Sequence, residues 1–200
     1  MMPNIIKTLI LVSLILLLNI IFGYSNLSLD ITDDKKHTIS NETKKIIKSL
    51  DDKIFIKVYL EGELPAGFKH LQSSTYNLLK NLKDISPSMV DFEFINPNTQ
   101  KSLENKKNFF QILIQKGLAP TDLEIRKTDE KINKIIFPGA IIYYKEKHIA
   151  VNFLKNRITK KPGDNINLSI ENLEYEFVSS ILHLKKEKLD KIAFLEGNGE

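Results

Sequence analysis

The loop at residues 61–68, which reads EGELPAGF, carries the pair of carboxylates whose spacing could support chemistry. Glu61 and Glu63 stand two residues apart after a strand-like run, and two nearby carboxylates can serve as general acid and general base. No histidine or arginine stands close to them in the sequence to assist such a reaction. We therefore predict a solvated loop here rather than a catalytic pair.

Other residue types that support chemistry are dispersed along the chain. The histidines form no i, i+4 pair with another metal ligand, and they are His37, His70, His148 and His183. The absence of cysteine excludes disulfides, thiolate metal sites and thiol redox chemistry. No P-loop motif is present, and GNGE at residues 197–200 is more typical of a turn than of a phosphate-binding loop. The sequence predicts no catalytic residue, no metal and no cofactor, so we do not expect an enzyme.

Glycine and proline give the same loop a second interpretation. Gly62, Pro65 and Gly67 favour a rigid turn, which is a purely structural role. The alternative is that the turn presents backbone groups at a helix N-terminus to a partner or ligand. The residues of this candidate partner-contact loop are Glu61, Gly62, Glu63, Pro65, Gly67 and Phe68, together with the more distant Pro138.

Composition favours a folded domain without nucleic-acid binding. The chain has 200 residues, of which 42% are hydrophobic and 27% charged, so it can form a core. Its net charge of +4 comes almost entirely from lysines that are interleaved with acids. A nucleic-acid interface would instead concentrate arginines and aromatics on one surface.

The N-terminal segment predicts a membrane anchor. Residues 5–22 read IIKTLILVSLILLLNIIF, which is long and apolar enough for a transmembrane helix. We interpret residues 1–28 as an uncleaved signal anchor, with a cleaved signal peptide as the alternative. The expected localisation is the bacterial inner membrane, with a single N-terminal span and the bulk of the chain in the periplasm.

Periodicity predicts the order of the remaining elements. Residues 29–52 form a juxtamembrane linker and a short helix capped by Ser40. The elements that follow are a strand at 53–60, a helix at 66–84, a strand at 89–96, a helix at 100–116, strands at 122–127, 132–145 and 148–154, and a helix at 169–186.

This order predicts an α/β fold that resembles the thioredoxin-like class, with the elements β-α-β-α, a β-meander and a final helix. The extracytoplasmic domain would span residues 53–188, and residues 189–200 would begin a truncated second domain. Residues 64–67, Leu-Pro-Ala-Gly, stand where a thioredoxin has its Cys-x-x-Cys. By the same resemblance Pro138 should face this loop, and its bond to Phe137 is a candidate for the cis form.

Several stretches in order resemble one family. They are LDITDDKKHTIS, SLDDKIFIKVYLEGELPAGFKHLQ, FEFINP, FPGAIIYY, NLSIENLEYEF and IAFLEGNGE. Together they are similar to the N-terminal half of the GldG family, which are gliding-motility-associated auxiliary proteins of ABC transporters, often labelled substrate-binding-like. One departure is Asn198, which stands where that pattern commonly has a histidine.

The resemblance implies a membrane-anchored, non-catalytic accessory subunit that binds or scaffolds. Its partners would be an ABC permease and a separate ATPase, and the transported substrate is not specified. No catalytic residue carries over from the family. The alternatives are a membrane-tethered enzyme or a sensor ectodomain whose functional residues lie beyond Glu200.

Overall fold

The computed structural model describes residues 7–9, 11–14, 16–17, 39–127, 130–154 and 162–186. The chain divides into two units, residues 1–38 and 39–200. In the first unit the described residues are helical. Across the described part of the chain, no helix has the length and apolar character needed to span a membrane.

This finding contradicts the predicted anchor at residues 1–28 and the inner-membrane localisation that was inferred from it. The predicted span was residues 5–22, of which 5, 6, 10, 15 and 18–22 lie outside the described residues.

The second unit contains four α-helices and six β-strands in its described parts. The helices are α1 (Asn41–Lys48), α2 (Ala66–Ile85), α3 (Leu103–Gln115) and α4 (Pro162–Lys185), with a short 3-10 turn at Pro97–Thr99. The strands are β1 (Ile54–Val58), β2 (Val90–Phe94), β3 (Thr121–Lys127), β4 (Glu130–Ile136), β5 (Gly139–Tyr144) and β6 (Lys147–Asn152).

A four-stranded central sheet has the order β2-β1-β5-β6. β1 and β2 are parallel, whereas β5 is antiparallel to both β1 and β6. β3 and β4 form a separate two-stranded sheet, so the predicted meander at one edge of a single sheet is wrong. The predicted strand at 132–145 also breaks at Pro138, because proline has no N–H to donate to a strand ladder.

The predicted thioredoxin-like fold behind a membrane helix is therefore corrected to a mixed α/β fold with two sheets. No peptide bond among the described residues is cis, so the prediction for the Phe137–Pro138 bond is wrong as well.

Helix α2 packs on the central sheet and forms where the sequence predicts it. Its buried side chains recur at the predicted helical spacing, and they are Phe68, Leu71, Thr75, Leu78, Leu79 and Leu82. Helix α1 begins as predicted at Ser40, whose hydroxyl accepts a hydrogen bond from the Thr43 N–H. The local signals for both helices therefore agree with the structure.

Helix α4 begins earlier than the predicted residue 169. The stretch at 162–165 that resembles a loop forms its first turn, where Pro162 requires no intrahelical partner and Asp164 suits the positive end of the helix dipole. Leu182 of this helix is 42% exposed, although its side chain is apolar. Residues 189–200, the predicted start of a second domain, lie outside the described residues.

The two faces of the sheet bury different amounts of apolar surface. One face carries Ile54, Ile56 and Val58 of β1 and packs beneath α1, α2 and α4. The opposite face carries Tyr59 and Ile141 and packs against Phe110 and Leu113 of α3. The larger core fixes α2 on the sheet and therefore positions the loop that leads into α2.

Candidate contact site at one end of the central sheet

The candidate loop lies where parallel strands β1 and β2 both end. Val58 at the end of β1 pairs with Phe94 at the end of β2, so the loops at 59–65 and 95–102 leave the sheet side by side. We call this edge of the sheet the loop end. In open α/β sheets, ligands commonly bind outside the carboxyl ends of the strands.

Gly62 brings these two loops into close contact. Its φ of +110° is a conformation that side chains strongly disfavour. A Cβ on Gly62 would lie 2.6 Å from Asn96 Nδ2. Asn96 Oδ1 in turn accepts a hydrogen bond of 3.0 Å from the Asn98 N–H and so starts the 3-10 turn. The shape of the loop end therefore depends on glycine at position 62.

Hydrogen bonds from neighbouring elements hold the loop at 59–65. Gln72 Nε2 donates to the Leu60 carbonyl at 2.9 Å and to Glu61 Oε2 at 2.8 Å. Lys134 Nζ donates to the Glu63 carbonyl at 3.2 Å. Since Gln72 belongs to α2 and Lys134 to β4, the loop is fixed from both sides.

The entry into α2 has no side-chain cap. Pro65 occupies the N-cap position, and the first turn contains no acidic residue. A Cβ on Gly67 would lie 2.8 Å from Ile166 Cδ1, so the N-terminal parts of α2 and α4 approach closely here. Tertiary packing therefore replaces the local capping that Ser40 gives to α1.

The predicted contact residues differ in their accessibility. Glu63 is exposed, and half-buried positions are occupied by Glu61, Gly62, Pro65 and Gly67. Phe68 and Pro138 are buried, Phe68 with 8% of its surface exposed. The Pro138 carbonyl accepts a hydrogen bond from the Phe153 N–H. A partner can therefore reach the loop at 61–67, whereas Phe68 and Pro138 support the fold from within.

Sequence reasoning missed the residues that fix the loop from outside. Asn96 had a usable signal, because Asn-Pro-Asn at 96–98 is typical of a turn stabilised by an asparagine side chain. Gln72 and Lys134 had none, since only the packing of α2 and of the β3–β4 sheet brings them to the loop.

The remaining candidate residues do not converge on this site. Within the described ranges, no three His, Cys, Asp or Glu side chains are grouped to hold a metal ion. His70 and His183 are exposed on α2 and α4, while the His148 ring stacks on Tyr143 with centroids 5.9 Å apart. His37 and residues 197–200 lie outside the described residues.

Tyr59, which follows β1 at the loop end, is buried against Phe109 with ring centroids 6.1 Å apart. Burial raises the pKa of its phenol, so Tyr59 remains neutral under ordinary conditions. The chemistry that this end offers a partner is therefore the exposed carboxylate of Glu63 on a rigid loop, together with nearby backbone groups.

Fold and site together define a mixed α/β protein with a rigid candidate contact loop. A family model described as "Domain of unknown function (DUF7088)" matches residues 33–143, which is more than half of the chain. The chain belongs to the DUF7088 family. The matched segment runs from the residues before α1 to β5 and includes the whole candidate loop. No curated protein and no solved structure matches the chain.

Proposed function

We propose that this chain is an accessory subunit of an ABC transporter linked to gliding motility, and that it acts by binding or scaffolding rather than by catalysis. The proposal starts from the ordered resemblance of its sequence to the GldG family. Its expected partners are an ABC permease and a separate ATPase.

The observation that carries the proposal is the fixed geometry of the loop at 59–65. Gln72 and Lys134 hold its carbonyl groups, and the conformation of Gly62 fits it against Asn96. A loop that is already ordered loses little conformational entropy when a partner binds. Rigid presentation of Glu63 therefore suits a docking role.

The charge at the loop indicates what its partner surface contains. Glu63 is an exposed acidic residue, and Lys134 Nζ donates to its backbone carbonyl. We expect a basic group on the permease or ATPase to face Glu63. Complementary charges of this kind determine specificity and the rate of association more than affinity.

The test is affinity purification of the tagged full-length protein from solubilised cells, with co-purifying proteins identified by mass spectrometry. We expect recovery of an ABC permease and its ATPase. Glu63→Arg should lower that recovery at least about tenfold, corresponding to about 1.4 kcal/mol. The matched control is Glu104→Arg, which reverses an exposed acid in the first turn of α3.

The outcomes separate the function from the site. If the intact wild-type protein recovers neither subunit, the accessory role is contradicted. If the two charge-reversal variants recover both subunits as well as wild type, the accessory role stands and the loop is not the contact.

A further inference from the structure

Strand β2 forms one edge of the central sheet and pairs only with β1 among the described residues. Ile54 N–H donates to the Met89 carbonyl, and Ile95 N–H donates to the Val58 carbonyl. Because backbone groups alternate in direction along a strand, those of Val90, Phe92 and Phe94 point away from β1. An edge of this kind can accept another strand.

A side-chain pair covers the middle of this edge. Asp91 Oδ1 accepts a hydrogen bond of 3.0 Å from the outward-pointing Phe92 N–H. The same oxygen accepts a second bond of 2.8 Å from Lys83 Nζ of α2. Both side chains are substantially exposed, Lys83 at 43% and Asp91 at 59%. An exposed ion pair contributes little to stability, so an incoming strand can displace this cover.

The two faces beside the edge differ in chemistry. On the α2 side, three aromatic rings contact one another with centroids 5.8 to 6.2 Å apart, and they belong to Tyr76, Phe92 and Phe94. Tyr76 is 48% exposed although it is aromatic. On the opposite face, strand alternation places Asp91 and Glu93, both of which are exposed, and Glu93 forms an ion pair of 3.1 Å with Lys57 of β1.

We propose that the free edge of β2 binds an extended segment of a partner protein in which apolar and basic side chains alternate. A carbonyl of the incoming strand would replace Asp91 as the acceptor for the Phe92 N–H. A basic side chain of that strand would replace Lys83 beside Asp91, and apolar side chains on its other face would cover the three aromatic rings. Strand addition of this kind combines backbone affinity with side-chain specificity.

A second copy of this chain fits the same edge poorly. In a two-fold antiparallel pair centred on Phe92, Asp91 of one copy lies opposite Glu93 of the other. Like charges directly opposite each other on adjacent strands are destabilising. A basic partner strand avoids this repulsion, and its lysines can compete with Lys83 for Asp91 and with Lys57 for Glu93, since both ion pairs are accessible to solvent.

The test uses the full chain and short labelled peptides with blocked ends. The basic probe is KVKFKVK, the neutral control is SVSFSVS and the acidic control is EVEFEVE, and binding is followed by fluorescence anisotropy. We expect KVKFKVK to bind at least about tenfold more tightly than SVSFSVS, and EVEFEVE to bind most weakly. N-methylation of the backbone groups that would face β2 should abolish binding.

Two exposed substitutions locate the bound peptide. Asp91→Asn retains an acceptor for the Phe92 N–H but removes the charge, so it should reduce the preference for the basic peptide several-fold. Tyr76→Ser should weaken all peptides, whereas the control Tyr175→Ser should not, because Tyr175 is 69% exposed on α4.

The proposal is contradicted if none of the peptides binds, or if binding survives N-methylation, which would indicate nonspecific adhesion. It is also contradicted if sedimentation shows that the chain self-associates and that Asp91→Asn strengthens this association without peptide. In that case the occupant of the edge is a second copy.

Discussion

The two ends of the central sheet are held together by different kinds of contact. At the loop end, Gln72 and Lys134 donate to backbone carbonyls, and Gly62 fits closely against Asn96. At the opposite end, which we call the turn end, β5 turns into β6 beside the residues that precede β1. The Asp51 carboxylate there accepts hydrogen bonds from the Tyr144 hydroxyl and from Lys145 Nζ.

Lysines from distant parts of the chain reinforce the turn end. Lys185 Nζ donates to the Ser49 carbonyl at 2.9 Å and to Ser49 Oγ at 2.8 Å. Lys147 Nζ donates to the Lys186 carbonyl at 3.0 Å. The turn end therefore depends on charged groups, whereas the loop end depends on the shape around Gly62, on amide side chains and on Lys134. We expect the loop end to respond to changes in volume and the turn end to respond to pH.

The largest effect should come from Gly62→Val. The substitution places a β-branched side chain at a φ of +110° and forces it against Asn96. We expect the free energy of unfolding to fall by about 3 kcal/mol in urea denaturation. The matched control is Gly163→Ala in the first turn of α4, where a Cβ would have no atom within 4 Å. If Gly62→Val and Gly163→Ala lower the free energy of unfolding equally, the loop end does not depend on the absence of a side chain at position 62.

A smaller effect should come from Asn96→Ala, which removes the acceptor for the Asn98 N–H at the 3-10 turn. We expect the free energy of unfolding in urea to fall by about 1 kcal/mol, as it does when other helix caps are removed. The control is Asn77→Ala at an exposed position within α2, which should change stability by less than about 0.5 kcal/mol. If Asn96→Ala is as neutral as the control, the asparagine does not stabilise this end.

Tyr144→Phe should have the smallest effect on the free energy of unfolding at neutral pH. Unlike the effects of the other two substitutions, this effect should depend on pH. The Tyr144 hydroxyl and the Lys145 ammonium lower the pKa of Asp51 from 3.8 to about 2. A lowered carboxyl pKa stabilises the fold above pH 3.8, and this stabilisation is lost as the pH falls towards about 2. Removing the hydroxyl should raise the pKa of Asp51, as measured by NMR titration of its carboxyl carbon.

The difference in stability between wild type and Tyr144→Phe should therefore shrink as the pH falls through this window. The control is again Asn77→Ala, an exposed substitution within α2. A pKa of Asp51 that is unchanged in Tyr144→Phe would contradict the account of the turn end.

The sequence predicts those parts of the structure that local signals determine. The spacing of Leu71, Thr75 and Leu78 predicts α2, and the Ser40 hydroxyl marks the start of α1. The turn residues around Gly62 correctly locate the candidate loop between β1 and α2. Each of these signals lies within a few residues of the structure that it specifies.

Features that depend on contacts between distant residues could not be predicted in this way. Periodicity cannot show that β3 and β4 form their own sheet, because it does not report which strands pair. The exposure of Leu182 depends on which helices lie beside α4. At the site, Lys134 reaches the Glu63 carbonyl across 71 residues of sequence, and no local pattern indicates that contact.

We propose that the loop end, rather than the turn end, contacts the transporter. A photo-crosslinking amino acid placed at Glu63 in one variant and at Asp52 in another compares two exposed acidic positions, one near each end of the sheet. Irradiation of cells followed by mass spectrometry should give an adduct with an ABC permease or its ATPase from position 63 and none from position 52. Adducts with these subunits from position 52 alone, or from neither position, would contradict the claim.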